Sequence, residues 1–160
     1  MDEGDIPAWI ALALSLISLG TQYHTYREHQ KSEALNEKMA RLAHMEALVM
    51  QIRTTAIAYW LHSEAAAAKD GLMLIHHLKD LSGEVTRNQT LLWPNARADV
   101  MNIKIQVTGS DFQRIDRLGR PANDPLITAF SESCSRFHEN LRSAAHAAKT
   151  AKFDEQLAHA

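Results

Sequence analysis

With 160 residues, 46% hydrophobic and 22% charged, the chain has the composition of one folding domain plus a short appendage, which excludes a disordered protein and leaves little room for two independent domains. Its 17 Lys and Arg against 19 Asp and Glu leave a formal charge of -2, without the basic excess of a general nucleic-acid binder, so no nucleic-acid partner is favoured. One cysteine, Cys134, excludes an intrachain disulfide framework and suits a reducing compartment.

The first element is the uncharged run over residues 6–26, IPAWIALALSLISLGTQYHTY. A helix rising about 1.5 Å per residue over such a run matches a hydrocarbon core of roughly 30 Å, so the run predicts a single transmembrane helix. Trp9 lies near one end, and Tyr23 and Tyr26 lie near the other, where amphipathic rings favour the headgroup level. Asp2, Glu3 and Asp5 precede the run, and Arg27, Lys31, Lys38 and Arg41 follow it. By the positive-inside rule the N-terminus is then outside and the C-terminus cytoplasmic, a single-pass arrangement in a cell inner membrane. No basic start or small-residue cleavage site marks a removable signal, so the segment reads as a retained signal anchor. The competing reading is a buried core helix of a soluble protein, since the strictly apolar part, residues 6–19, is shorter and the mean hydropathy is -0.28.

Within the run, Ala8, Ala11, Ser15, Ser18 and Gln22 share one face at steps of 3 and 4, opposite Leu and Ile. Small residues let helices approach closely in lipid, and Ser or Gln hydrogen-bonds across the contact, so this face predicts self-association.

Proline is absent between Pro7 and Pro94, which permits a very long helix. Leu35, Leu42, Val49 and Ala56 recur every seven residues, with Met45, Ile52 and Tyr59 three later, as in a coiled-coil seam of a bundle or an oligomer. Ile57, Leu61, Ala65, Ala68, Leu72, Ile75 and Leu78 keep helical phase through Gly71, with the alanines offering a narrow waist. The reading is one helix over residues 26–81, stopped by Ser82 and Gly83, with a hairpin turn at residues 51–55 as the alternative.

Residues 100–107 alternate as a strand would, yet Val100, Ile103 and Val107 also form a helical face, and no partner strand is evident, so helix is preferred. After a break at residues 108–111, Phe112, Ile115 and Leu118 suggest a short helical piece ended by Gly119, Arg120 and Pro121. The last helix is signalled by Asn123 or Asp124 as cap, Pro125 in the first turn, and a seam of Ile127, Phe130, Cys134, Phe137, Leu141, Ala144 and Ala148. Residues from Lys149 onward read as a frayed tail.

The predicted architecture is all-α: a transmembrane helix continuing into a long helix, packed with an antiparallel pair of helices in a cytoplasmic bundle. Its divisions are an external N-terminus and anchor over residues 1–26, the bundle over residues 27–156, and a tail over residues 157–160. The bundle seam is expected at Leu35, Leu42, Val49, Ile52, Phe130, Phe137 and Leu141.

Nine histidines raise the question of metal, but no pair four apart on one helix, cysteine pair or carboxylate cluster is present, and Arg142 lies between His138 and His146. No catalytic residue, cofactor or metal is therefore assigned, and Cys134 reads as core filling. All-helical ribonuclease domains of the HEPN type carry an Arg, four to six residues, then a His; Arg142 and His146 are separated by three, so that motif is not met. The layout is similar to that of small bacterial defence proteins that join one membrane helix to a helical domain and form pores, a likeness of layout alone. The composition, rich in Ala and Arg, suits a bacterial source. The expected role is a self-associating, membrane-anchored interaction or scaffold module, not an enzyme, whose partners are lipid, further copies and an unidentified protein. A pore-type effector and a divergent helical nuclease are the alternatives.

Overall fold

The proline-free stretch is helical almost throughout, because Ala, Leu, Glu, Lys and Gln dominate it and nothing removes a backbone donor. The computed structural model describes the backbone of residues 5–109 and 111–157 and the side chains of residues 9–109 and 111–151. Its elements are α1 (Asp5–Leu61), α2 (Glu64–Arg87), a 3-10 turn (Gln89–Leu91), α3 (Ala96–Val107) and α4 (Pro125–Leu157), with no strand among the described residues. The chain is all-α. Contacts divide it into two compact units, Met1–Lys38 and Met39–Ala160.

In the first unit the helix carries no buried side chain among those described. Thr21 and Thr25 donate their hydroxyls to the carbonyls of Ser18 and Thr21 at 2.9 Å, so these β-branched residues satisfy themselves against the preceding turn. Among the described residues no helix is long and apolar enough to cross a membrane, so the expected transmembrane helix over residues 6–26 is not met there. The described apolar residues give way to Thr21, Gln22 and His24, and the side chains of residues 6–8, Ala8 among them, lie outside those described.

The second unit is a helical bundle. Its core joins Leu42, Met45, Val49, Ile52, Ala56, Tyr59 and Trp60 of α1 to Leu74, Leu78, Leu81 and Val85 of α2, Val100, Ile103 and Val107 of α3, and Ile127, Phe130, Cys134, Phe137 and Leu141 of α4. Residues 100–107 are helical, and α3 packs against both α4 and α2. Trp60 donates Nε1–H to the carbonyl of Val107 at 3.0 Å, filling an orphan acceptor at the end of α3. Glu46 on α1 lies 2.6 Å from Nε2 of His138 and 3.1 Å from Nε of Arg142 on α4. Asn88 is buried at the end of α2, where its amide donates to the Glu84 carbonyl at 2.9 Å and its Oδ1 accepts from Arg41 at 3.1 Å.

Five further sequence expectations are corrected. The long helix does not run to Leu81, nor does it turn at residues 51–55; it breaks at His62 and Ser63, a site with no Gly or Pro. The break shifts the helical phase, so Leu72 and Ile75 face outward and Leu74, Leu81 and Val85 face the core. Ser82 and Gly83 do not stop α2; Ser82 donates its hydroxyl to the Leu78 carbonyl at 2.7 Å and the helix continues to Arg87. Residues 112–118 are turns, with Ile115 and Leu118 exposed, and α4 continues past Lys149 to Leu157. Residues 158–160 of the expected tail lie outside those described.

Candidate functional site

Two features stand out as sites, one in each unit. In the first, α1 presents Trp9, Ile10, Leu12, Leu14, Leu16, Ile17 and Leu19 over a broad arc of the helix, each more than half exposed, followed by Tyr23 and Tyr26 at 65% and 62%. This arc is wider than the single stripe of an ordinary surface helix, and nothing in the first unit covers the described part of it. Ala11, Ser15, Ser18 and Gln22 are exposed with the rest. Beyond the arc, Tyr26 accepts a hydrogen bond from Gln30 at 2.7 Å, and Lys31 lies 3.9 Å from Glu28. Leu35 is half-buried, whereas Leu42, Val49, Ile52, Phe130, Phe137 and Leu141 meet in the core of the second unit.

In the second unit the break between α1 and α2 is held by residues 111–124. Arg117 is buried, its side chain 2% exposed, yet it carries a full charge. It donates Nη1–H to the carbonyl of His62 at 2.8 Å and Nη2–H to that of Tyr59 at 3.1 Å, and lies 3.4 Å from Glu64. The guanidinium sits 4.2 Å from the Tyr59 ring centroid and 4.9 Å from that of Trp60. Arg117 thus caps the last turn of α1, where orphan carbonyls and the helix dipole both favour a cation. The Arg120 amide takes the Trp60 carbonyl at 2.7 Å, and the Arg117 carbonyl accepts from the first amide of α2, Glu64, at 3.2 Å. Helix one is closed and helix two is opened by the same loop.

Tyr59 donates its hydroxyl to Glu64 and accepts from the Gln113 amide at 2.8 Å. Burial, and then the hydrogen bond to Glu64, push its pKa above the ordinary phenol value. Gln113 takes a positive φ of 60° to make this contact. Arg120 bridges Asp111 at 2.6 Å and Asp124 at 3.1 Å; burial alone would lower its pKa, but the Asp124 and Asp111 hydrogen bonds and charges raise it. Asp124 also accepts from the Leu126 amide at 2.8 Å, which, with Arg120, holds its carboxyl below the usual range. Gly119 fits here because an added Cβ would collide with the Leu61 carbonyl. On this braced loop Ile115 and Leu118 are 93% and 79% exposed.

None of Arg117, Arg120, Glu64 or Tyr59 stood out in the sequence as a site residue, because their roles depend on contacts more than 50 positions apart. Among the described residues no three His, Cys, Asp or Glu side chains converge as a metal would require. Cys134 lies in the core, and burial pushes its thiol up to about 12, so it is a neutral filler and not a nucleophile at neutral pH. Comparison of the chain with protein-family models, with curated proteins and with solved structures finds no match.

Proposed function

We propose that the protein is a membrane-attached helical module, in which the N-terminal part of α1 enters lipid and the bundle of residues 39–160 acts as an interaction domain at the cytoplasmic face. The observation that carries this reading is the uncovered apolar arc from Trp9 to Leu19. Burying six large aliphatic side chains is worth on the order of 10 kcal/mol, which lipid can provide over the whole arc at once and one packed neighbour cannot. The backbone there is already helical, so no polar group has to be exposed to hydrocarbon. A span this short is accommodated by local thinning of the bilayer and by the Trp and Tyr rings at its edges. Arg27 and Lys31 at the far edge favour an N-terminus outside and a cytoplasmic body. The exposed small and polar face of Ala11, Ser15, Ser18 and Gln22 suits close approach between copies in lipid, which favours a homo-oligomer.

The test is fractionation of cells expressing the full chain, followed by an alkaline carbonate wash. The native protein stays in the membrane pellet, and Leu14→Lys with Ile17→Lys moves it to the supernatant. A native chain found wholly in the supernatant ends the proposal. The exposed Ser15, Ser18 and Gln22 favour one second reading, a pore-type effector, since a ring of such faces could line water. Unchanged membrane potential after induction removes it.

A further inference from the structure

Two helices of the second unit share an outer face that the folded bundle leaves unused. On α2, Leu72, Ile75, Lys79, Ser82 and Thr86 follow one another at steps of 3 and 4, so they occupy one side of the helix. On α3, Arg97, Met101 and Lys104 do the same, outside the buried stripe of Val100, Ile103 and Val107, with Ile105 beside them. The two runs border one groove of about 290 Å³ where α2 packs on α3, lined by Ser82, Thr86, Arg97, Met101 and Lys104. Along it Leu72, Met101 and Ile105 are 65%, 53% and 57% exposed.

The face carries three cations and no carboxylate. Lys79, Arg97 and Lys104 are exposed, and among the described residues their side chains have neither an ion pair nor a hydrogen bond. The acids that accompany them in sequence are engaged elsewhere: Asp80 lies 3.3 Å from His76, Glu84 lies 2.6 Å from Arg87, and Asp99 accepts the Trp93 indole N–H at 2.7 Å. In a chain of net charge -2, the result is a local positive field interleaved with bare aliphatic side chains. The groove is not built for one small anion. Ser82 and Thr86 donate their hydroxyls to the carbonyls of Leu78 and Ser82 at 2.7 and 2.8 Å, so they offer no donor to a phosphate. Arg97 and Lys104 stand about 10 Å apart along the helix axis, with Met101 between them, a spacing that suits an extended negative surface.

We propose that this face lies against an anionic lipid surface, with Lys79, Arg97 and Lys104 at the headgroups and Met101 and Ile105 entering the boundary with the acyl chains. The choice of lipid over an acidic protein rests on the membrane attachment proposed from α1, whereas the contact itself belongs to the second unit. Each cation close to such a surface raises partition about fivefold, and the attraction fades as salt screens it.

The test is sedimentation of the full-length chain with vesicles, in a Leu14→Glu, Ile17→Glu background that removes the apolar grip of α1 without adding a cation. Vesicles of phosphatidylcholine alone are compared with vesicles of phosphatidylcholine and phosphatidylglycerol in equal parts. The expected result is binding to the anionic vesicles only, lost at high sodium chloride and weakened about 25-fold in Arg97→Gln with Lys104→Gln. Met101→Ser with Ile105→Ser should weaken it as well, which a purely ionic attraction would not do. Lys69→Gln with Lys149→Gln takes the same charge from exposed positions outside the two runs and should leave binding nearly unchanged. Because every one of these side chains is exposed, the far-UV spectrum should not change. Equal loss in the Lys69 and Lys149 pair, or no binding to anionic vesicles, overturns the proposal; binding of polyglutamate but not of vesicles also overturns it and gives the face to an acidic protein. The carbonate wash of the native chain reports on α1 separately, so either reading can fail alone.

Discussion

Arg117 concentrates more of the second unit's design than any other side chain, since one buried guanidinium closes α1, stacks on two aromatic rings and approaches Glu64. Replacing it by Ala leaves the carbonyls of Tyr59 and His62 without this donor and the Glu64 carboxylate without its cation, with only the Tyr59 hydroxyl still bound to it. The expected loss is about 3–5 kcal/mol, read as a lower urea midpoint, with Arg117→Lys intermediate because an ammonium cannot serve both carbonyls in a planar fork. Cys134 and Tyr59 give the second residue-scale prediction. Both have folded-state pKa values raised above their ordinary values of 9.0 and 10.0, the thiol to about 12. The unfolded chain therefore releases these protons first as pH rises. Stability from these groups is complete below pH 9 and declines from there toward pH 12, so urea midpoints should be level between pH 7 and 8.5 and then fall. Iodoacetamide at pH 8 should label Cys134 only at the rate of unfolding.

Elements differ in how their glycines and caps were chosen. Gly71 and Gly83 both sit inside α2, where Ala is favoured over Gly by about 1 kcal/mol on helix propensity alone. An added Cβ at Gly71 would come 2.9 Å from the Tyr59 ring, whereas at Gly83 it would meet only the end of the Arg87 side chain, at 3.8 Å. Gly83→Ala should therefore raise the melting temperature and Gly71→Ala lower it, two opposite signs from one substitution in one helix. At the start of α4, Asp124 binds the Leu126 amide and Arg120. Because its folded pKa is depressed, the stability it contributes is present above its ordinary value of 3.8 and is lost as pH falls through the lower folded value. Asp124→Ala should lower the melting temperature at pH 7, and the difference from the native chain should shrink as the pH is brought below 3.8.

Taken as a whole, the molecule gathers Tyr59, Trp60 and Phe112 at the corner of α1 and α2 and leaves its N-terminal aliphatic residues bare. A chain of this kind associates when lipid is absent. Sedimentation of the full-length protein in dilute buffer should show concentration-dependent oligomers, and Leu14→Lys with Ile17→Lys should return it to a monomer with an unchanged far-UV spectrum.

Much of this architecture was legible in the chain. The all-α class followed from helix-forming composition and a long gap between prolines, and Asp124 with Pro125 marks the start of a helix by chemistry confined to three or four residues. A helix buried along one stripe, such as α4, shows its inward face in the spacing of Ile127, Phe130, Cys134, Phe137 and Leu141, because each step is set by the helix's own period. Nothing comparable marks the end of α1. The residues at the break, His62 and Ser63, carry no local stop signal; what ends the helix is Arg117 and Arg120 reaching its carbonyls from a loop more than 50 positions away. Losing two residues from the helical count then turns α2 so that Leu74 faces inward and Leu72 and Ile75 face out. The amino-acid sequence by itself determined that the chain would be helical, where its last helix begins, and that its N-terminal stretch is apolar over a broad arc. Only the tertiary structure decided where the first helix stops and which side of the second is buried, since a hydrogen bond between distant residues has no period for a sequence to display.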